Sequence, residues 1–169
     1  MPLAIGALAP SFSLKQGAGR PQIVPQDGPV LIAFIAGGCP VSRAIAPVLA
    51  LLETAASASR HPFLLVAPDE PATLSAFAAQ TRQKLEILAD PSPFARFRVY
   101  KIAVTPTLMQ LDKGRIMAIQ EGWALEEWQR QAQAVWGIAV PDLAQLEDML
   151  PCALGTPLAA IVKQKISSW

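Results

Sequence analysis

The sequence predicts an α/β fold: a central mixed β-sheet flanked by helices, with an N-terminal β extension and a C-terminal helical tail. Three observations lead there. Residues 30–36 form a near-continuous apolar and β-branched run, as expected of a strand buried on both faces. A second such run, 63–66, follows after a stretch of helical periodicity. Two further apolar runs, 107–111 and 116–120, flank Lys113-Gly114 and read as an antiparallel hairpin. The order βαβαβ(α)ββα places helices on the faces of one sheet.

The elements follow in order. Ala9-Pro10-Ser11-Phe12-Ser13-Leu14 alternates weakly and runs into Gly- and Pro-rich residues, giving a short strand and irregular hairpin with 22–24 as its second arm. After the 30–36 strand, Pro40 suits a first helical turn, where its missing N–H costs nothing. That helix is predicted to reach Ser57, with Ile45, Val48, Leu49 and Leu52 toward the sheet and a kink at Pro47. Pro68 to Pro71 turns into a helix ending near Thr81. Residues 85–88 suit a short strand, and 94–99 a short helix. A helix over 124–136 would bury Leu125, Trp128 and Val135. Beyond Ile138, two short helices are expected, 142–150 and 157–165. The domain division is therefore 1–137 for the sheet domain and 138–169 for a helical extension packed on it.

Composition narrows the functional classes. At 169 residues the chain supports one full core but is short for two. Hydrophobic residues make up 52% and charged residues 16%, so the interior is ample. A formal charge of +1 gives no electrostatic footprint for nucleic acid. No apolar run approaches the roughly 20 residues of a membrane span. One histidine and two cysteines, without clustered ligands, leave no basis for a metal site, and no motif calls for a cofactor. The start lacks the pattern of a signal peptide, so the expectation is a cytoplasmic protein, or a periplasmic one if an export signal was removed.

The candidate chemistry lies at Gly37-Gly38-Cys39-Pro40-Val41-Ser42-Arg43. A cysteine between a buried strand and a helix start meets unpaired backbone N–H groups and the positive end of the helix dipole. A thiol of ordinary pKa ~8.5 can fall to roughly 3.5–7.5 in such a place. Arg43, one turn on, would add positive charge if it pointed back. Against this stands a purely structural role, since free cysteine is often interior. The second segment is Val104-Thr105-Pro106-Thr107, where a proline before an apolar strand suits a cis peptide that turns the Thr105 backbone toward Cys39. An extended substrate could then pair with it.

These segments resemble the thioredoxin-like redoxins, the AhpC/TSA-related group of thiol–disulfide oxidoreductases and peroxiredoxins. The resemblance runs from about Ile5 to Trp136. It rests on Ala9-Pro10-Ser11-Phe12, on Cys39-Pro40-Val41-Ser42-Arg43 against a Cys-Pro-x-Cys-Arg motif, and on Pro47. Tyr100, Val104-Thr105-Pro106-Thr107 and Leu111-Asp112-Lys113-Gly114-Arg115-Ile116 complete it. It implies Cys39 as nucleophile with Ser42 and Arg43 beside it. Pro40, Thr105 and a cis Pro106 would then line a groove for a protein or low-molecular-weight thiol or disulfide.

Two departures qualify it. Ser42 stands where the dithiol motif has its second cysteine, and serine cannot resolve a mixed disulfide, so the site reads as monothiol. Its hydroxyl could still donate to a Cys39 thiolate. Ala36 stands where the resembling peroxidases carry threonine, and Ile32 where they carry proline; Arg96 and Arg98 are the candidates for their arginine. Peroxide is therefore expected to be a poor substrate. Cys152, beside Pro151 and near Gly155, is either a buried filler or a resolving partner for Cys39. The tail around it could also cover a sheet edge or form a homodimer contact.

The leading expectation is a single-cysteine oxidoreductase. The alternatives are a peroxiredoxin-type peroxidase using the same cysteine, and a non-catalytic thioredoxin-fold binding or chaperone module. Trp123, Trp128 and Trp136 read as packing anchors. Asp112 reads as a turn residue, while Asp69, Glu70, Glu126 and Glu127 read as helix-start charges.

Overall fold

The computed structural model describes residues 3–15, 21–24, 27–137 and 146–153. A five-stranded mixed sheet forms its centre, in the order β5-β4-β3-β7-β8. The strands are β3 (Val30–Phe34), β4 (Phe63–Ala67), β5 (Ile87–Ala89), β7 (Thr107–Asp112) and β8 (Arg115–Glu121). β3 runs parallel to β4 and antiparallel to β7, with Ala33 opposite Leu65 on one side and Leu108 on the other. Five consecutive buried residues in β3 fit its place between two neighbours and two covered faces.

Alternation along β3 divides the interior into two clusters. Leu31, Ala33 and Ile35 pack with Ile45, Leu49, Leu52, Trp123 and Trp128. Val30, Ile32 and Phe34 pack with Phe97, Tyr100, Ile102 and Met109. The first cluster involves α2 (Ala46–Ser57), α3 (Pro71–Thr81) and α5 (Leu125–Trp136); the second involves α4 (Ala95–Val99). The Trp123 and Trp128 rings meet at a tilt of 58° with centroids 5.1 Å apart, and the three anchor tryptophans are buried as expected. The N-terminal β extension is an antiparallel pair, β1 (Phe12–Lys15) and β2 (Pro21–Val24).

The turn between β7 and β8 follows its sequence closely. Lys113 and Gly114 both have positive φ, 49° and 75°, between the paired Asp112 and Arg115, the geometry of a tight two-residue hairpin.

Two expectations about helices are corrected. The predicted helix 40–57 is two helices, α1 (Pro40–Ala44) and α2, separated at Ile45 with φ −89° and ψ 2°. Pro47 therefore lies in the first turn of α2, where no N–H is needed, instead of kinking a helix interior. The predicted helix 142–150 is not helical over its described part, 146–150. There the backbone is committed elsewhere: Met149 and Trp123 exchange N–H···O bonds of 2.8 and 2.9 Å. The Asp148 carboxylate accepts the Leu125 N–H at 2.9 Å, at the start of α5. Beyond it, β9 (Cys152–Ala153) pairs antiparallel with β6 (Val104–Thr105). Residues 142–145 and the helix expected over 157–165 lie outside the described residues.

No described helix is long and apolar enough to cross a membrane. Among the described residues, no cluster of His, Cys, Asp or Glu could hold a metal ion.

Candidate active site

Cys39 sits at the junction of β3 and α1, as the N-cap residue in an extended conformation. The Ser42 backbone N–H points to Cys39 Sγ at 3.4 Å, and Pro40 occupies the first turn without needing a partner. Cys39 is 4% exposed, so its sulfur faces a partly desolvated site with a backbone donor already aimed at it.

The second segment meets it there. The Thr105–Pro106 peptide bond is cis, and the Thr105 carbonyl oxygen lies 3.3 Å from Cys39 Sγ. Pro106 is buried, and its own carbonyl accepts the Gly122 N–H at 2.7 Å. Thr105 is fully buried, and its hydroxyl has no hydrogen-bond partner among the described residues.

Cys152 completes the arrangement. It is disulfide-bonded to Cys39 across 113 residues of sequence, with the Cα atoms 5.9 Å apart. Its strand neighbour is Thr105, and Ala153 stands opposite Val104. The expectation of a site served by Cys39 alone does not describe this arrangement. The second sulfur, absent at Ser42, arrives from the tail.

The seat of that tail is built. Gly122 has φ +84°, and a Cβ there would lie 2.8 Å from both the Met149 carbonyl oxygen and the Pro151 ring. Only glycine lets the chain turn in this way while the tail passes so close. Leu146 and Met149 pack against the first core cluster, and the Trp123 indole N–H donates to the Leu146 carbonyl at 3.5 Å.

Two first-motif residues also brace the loop that carries Cys39. The Ser42 hydroxyl, fully buried, accepts the Ala36 N–H at 3.3 Å; it is the Ser42 backbone that reaches the sulfur. Arg43 Nε donates to the Gly37 carbonyl at 2.9 Å, so the guanidinium braces the loop. Among the peroxidase arginine candidates, Arg96 lies 3.7 Å from the buried Asp90 carboxylate, which also accepts the Arg96 and Phe97 N–H groups.

Asp69, expected as a helix-start charge, accepts the Gly37 N–H through its carboxylate at 2.9 Å. Burial pushes its pKa up, and the Gly37 hydrogen bond opposes that shift. It therefore ties the β4–α3 loop to the loop that carries Cys39. Nothing in a sequence separation of 32 residues announces that contact.

No protein-family model matches the chain, and no curated protein sequence is similar to it. Solved structures are. The thioredoxin domain of a thiol-disulfide oxidoreductase from Bacteroides vulgatus superposes with a TM-score of 0.60 at 19% identity, over 70% of this chain and 89% of that one. A thiol:disulfide interchange protein from Bacteroides sp. gives 0.66 at 18%, over 85% and 97%. A secreted disulfide oxidoreductase from Mycobacterium tuberculosis gives 0.58 at 18%, over 73% and 95%. These likenesses establish a thioredoxin-like fold for the chain.

Proposed function

We propose that this protein is a thiol–disulfide oxidoreductase in which Cys39 is the nucleophile and Cys152 the resolving cysteine. The observation that carries this reading is the Cys39–Cys152 bond, formed at a helix N-cap and against the cis Thr105–Pro106 segment. It is further supported by the thiol–disulfide oxidoreductases among the structures of similar fold. The substrate class is a disulfide in a protein or a small thiol compound.

The chemistry balances with these two sulfurs. In the reduced protein the Cys39 thiolate, held by the Ser42 N–H, attacks one sulfur of a substrate disulfide. A Cys39–substrate bond forms, and the other substrate sulfur leaves as a thiolate. Cys152 then attacks Cys39 Sγ, closing the internal disulfide and releasing the second substrate thiolate. The substrate gains two electrons and the protein loses them. An external dithiol restores the protein in two steps: one of its sulfurs attacks Cys152, the more exposed of the two cysteines, with Cys39 as leaving thiolate, and its second sulfur then displaces the Cys152 thiolate, so the dithiol leaves as its own disulfide. The tethering of Cys152 beside Cys39 makes the resolving step intramolecular.

The test is a trap. The Cys152→Ser variant, reduced and mixed with a disulfide-bearing peptide, should accumulate a mixed disulfide on Cys39 that the parent protein discharges. Failure of the folded variant to form any adduct on Cys39 would contradict the assignment. Turnover of the variant at the parent rate with glutathione would return the site to a single-cysteine mechanism.

A further inference from the structure

The tail segment occupies the strand edge that a substrate would need. β9 lies antiparallel on Val104–Thr105, with Cys152 opposite Thr105 and its sulfur bonded to Cys39. An extended polypeptide presenting a cysteine to Cys39 would pair with the same edge and place its sulfur at the same point. Both cannot be there at once.

The segment's two halves are held very differently. Residues 146–149 rest on two backbone bonds between Trp123 and Met149, the Asp148 carboxylate on the Leu125 N–H, and the packing of Leu146 and Met149 on the core. None of these contacts involves a sulfur of the site. Among the described residues, 152–153 have a ladder of two residue pairs, the disulfide, and the packing of Cys152 against the second core cluster. A two-residue ladder holds weakly by itself, since even longer isolated strand pairs are marginal in water. Pro151, at the junction, rests against Gly122 but has no N–H to carry a backbone bond on into 152–153.

We propose that residues 146–153 form a redox-controlled strap with a permanent anchor and a releasable leaf. The anchor, 146–150, stays seated on the Gly122–Leu125 corner in both redox states. The leaf, Cys152 and Ala153, closes the Val104–Thr105 edge only while Cys152 is bonded to Cys39. Two electrons from an external dithiol, which leaves as its own disulfide, open the edge to an extended cysteine-bearing polypeptide. Closure of the internal disulfide then expels that polypeptide as the leaf re-pairs, so resolution and product release are one event. This inference rests on Cys39 and Cys152 being a working redox pair and concerns how access to it is controlled.

Backbone amide hydrogen exchange on the full-length protein, oxidised and then reduced with dithiothreitol, tests it without requiring turnover. On reduction, the amides bonded across the 104–105 and 152–153 ladder should exchange at least tenfold faster, while the Trp123 and Met149 amides keep their protection. In the Cys152→Ser variant carrying a disulfide-linked extended octapeptide on Cys39, the 104–105 amides should be protected again and those at 152–153 should not. Ladder protection unchanged on reduction would overturn the leaf. Loss of Trp123 and Met149 protection with it would overturn the anchor. Protection of 152–153 in the peptide adduct would overturn the competition. A strap that behaves as proposed in a protein without exchange activity would refute the oxidoreductase reading alone.

Discussion

Thr105 stands opposite Cys152 in a two-residue antiparallel ladder while its carbonyl oxygen lies 3.3 Å from Cys39 Sγ. One residue thus touches both sulfurs' segments, and its bond to Pro106 is cis. The strand edge, the nucleophile and the resolving cysteine are assembled around a single backbone unit. The consequences can be measured at residues some distance from the sulfurs.

Gly122 is the first. A Cβ there would press on the Met149 carbonyl and the Pro151 ring, and φ +84° is unfavourable for any other residue. Gly122→Ala should destabilise the protein by on the order of 1–3 kcal/mol and weaken the seat of the tail. Denaturant unfolding should show the loss, and the fraction of protein with the Cys39–Cys152 bond at a fixed glutathione ratio should fall. An alanine variant with parental stability and parental disulfide content would show that the tail does not depend on this corner.

Ser42 is the second. Its hydroxyl accepts the Ala36 N–H in a fully buried position, and its backbone N–H serves Cys39. Ser42→Ala removes the acceptor and leaves the buried Ala36 N–H unpaired, a cost of about 1–3 kcal/mol. It leaves the backbone donor to the sulfur in place. Stability measured by denaturant should drop while the rate of Cys39 alkylation in the reduced variant stays within a few-fold of the parent. A large fall in that rate with unchanged stability would mean the hydroxyl acts on the sulfur after all.

The fold was legible in the sequence because its signals are local and periodic. Residues 30–36 read as a doubly buried strand, and Lys113-Gly114 as a tight turn, from composition alone. Cys39 and Pro106 stood out because a helix start and a pre-strand proline have recognisable neighbours. What escaped depends on contacts between distant segments. The Asp69–Gly37 bond and the Cys152–Thr105 pairing join residues with nothing local to mark them. The 146–150 stretch has a helical pattern but gives its backbone bonds to Trp123, a tertiary competitor that no window of sequence contains. The bond from Arg43 Nε to the Gly37 carbonyl likewise joins residues that no local pattern marks as partners.

The pH dependence of stability has a named source in Glu53. Burial, foremost, pushes its carboxyl up from 4.5 to about 7; a hydrogen bond from the Glu86 N–H opposes this, and the nearby Glu86 charge adds to it. The unfolded chain gives up this proton near 4.5, whereas the folded chain holds it to about 7. Between those values the folded state binds more protons, so this group's contribution to stability is full below about 4.5 and is lost as pH rises to about 7. Glu53→Gln should flatten that part of the profile in denaturant unfolding between pH 5 and 8. A variant whose profile matches the parent over this range would clear Glu53 of the effect.

The most direct test of the central claim is a redox titration of the two cysteines. The protein is equilibrated with mixtures of reduced and oxidised glutathione, quenched with an alkylating reagent and weighed. A Cys39–Cys152 redox pair predicts a single transition between molecules carrying no label and molecules carrying two, with the single-label form minor throughout. A glutathione adduct on Cys39 with Cys152 labelled, dominant under oxidising ratios, would contradict it and make Cys39 a nucleophile working alone.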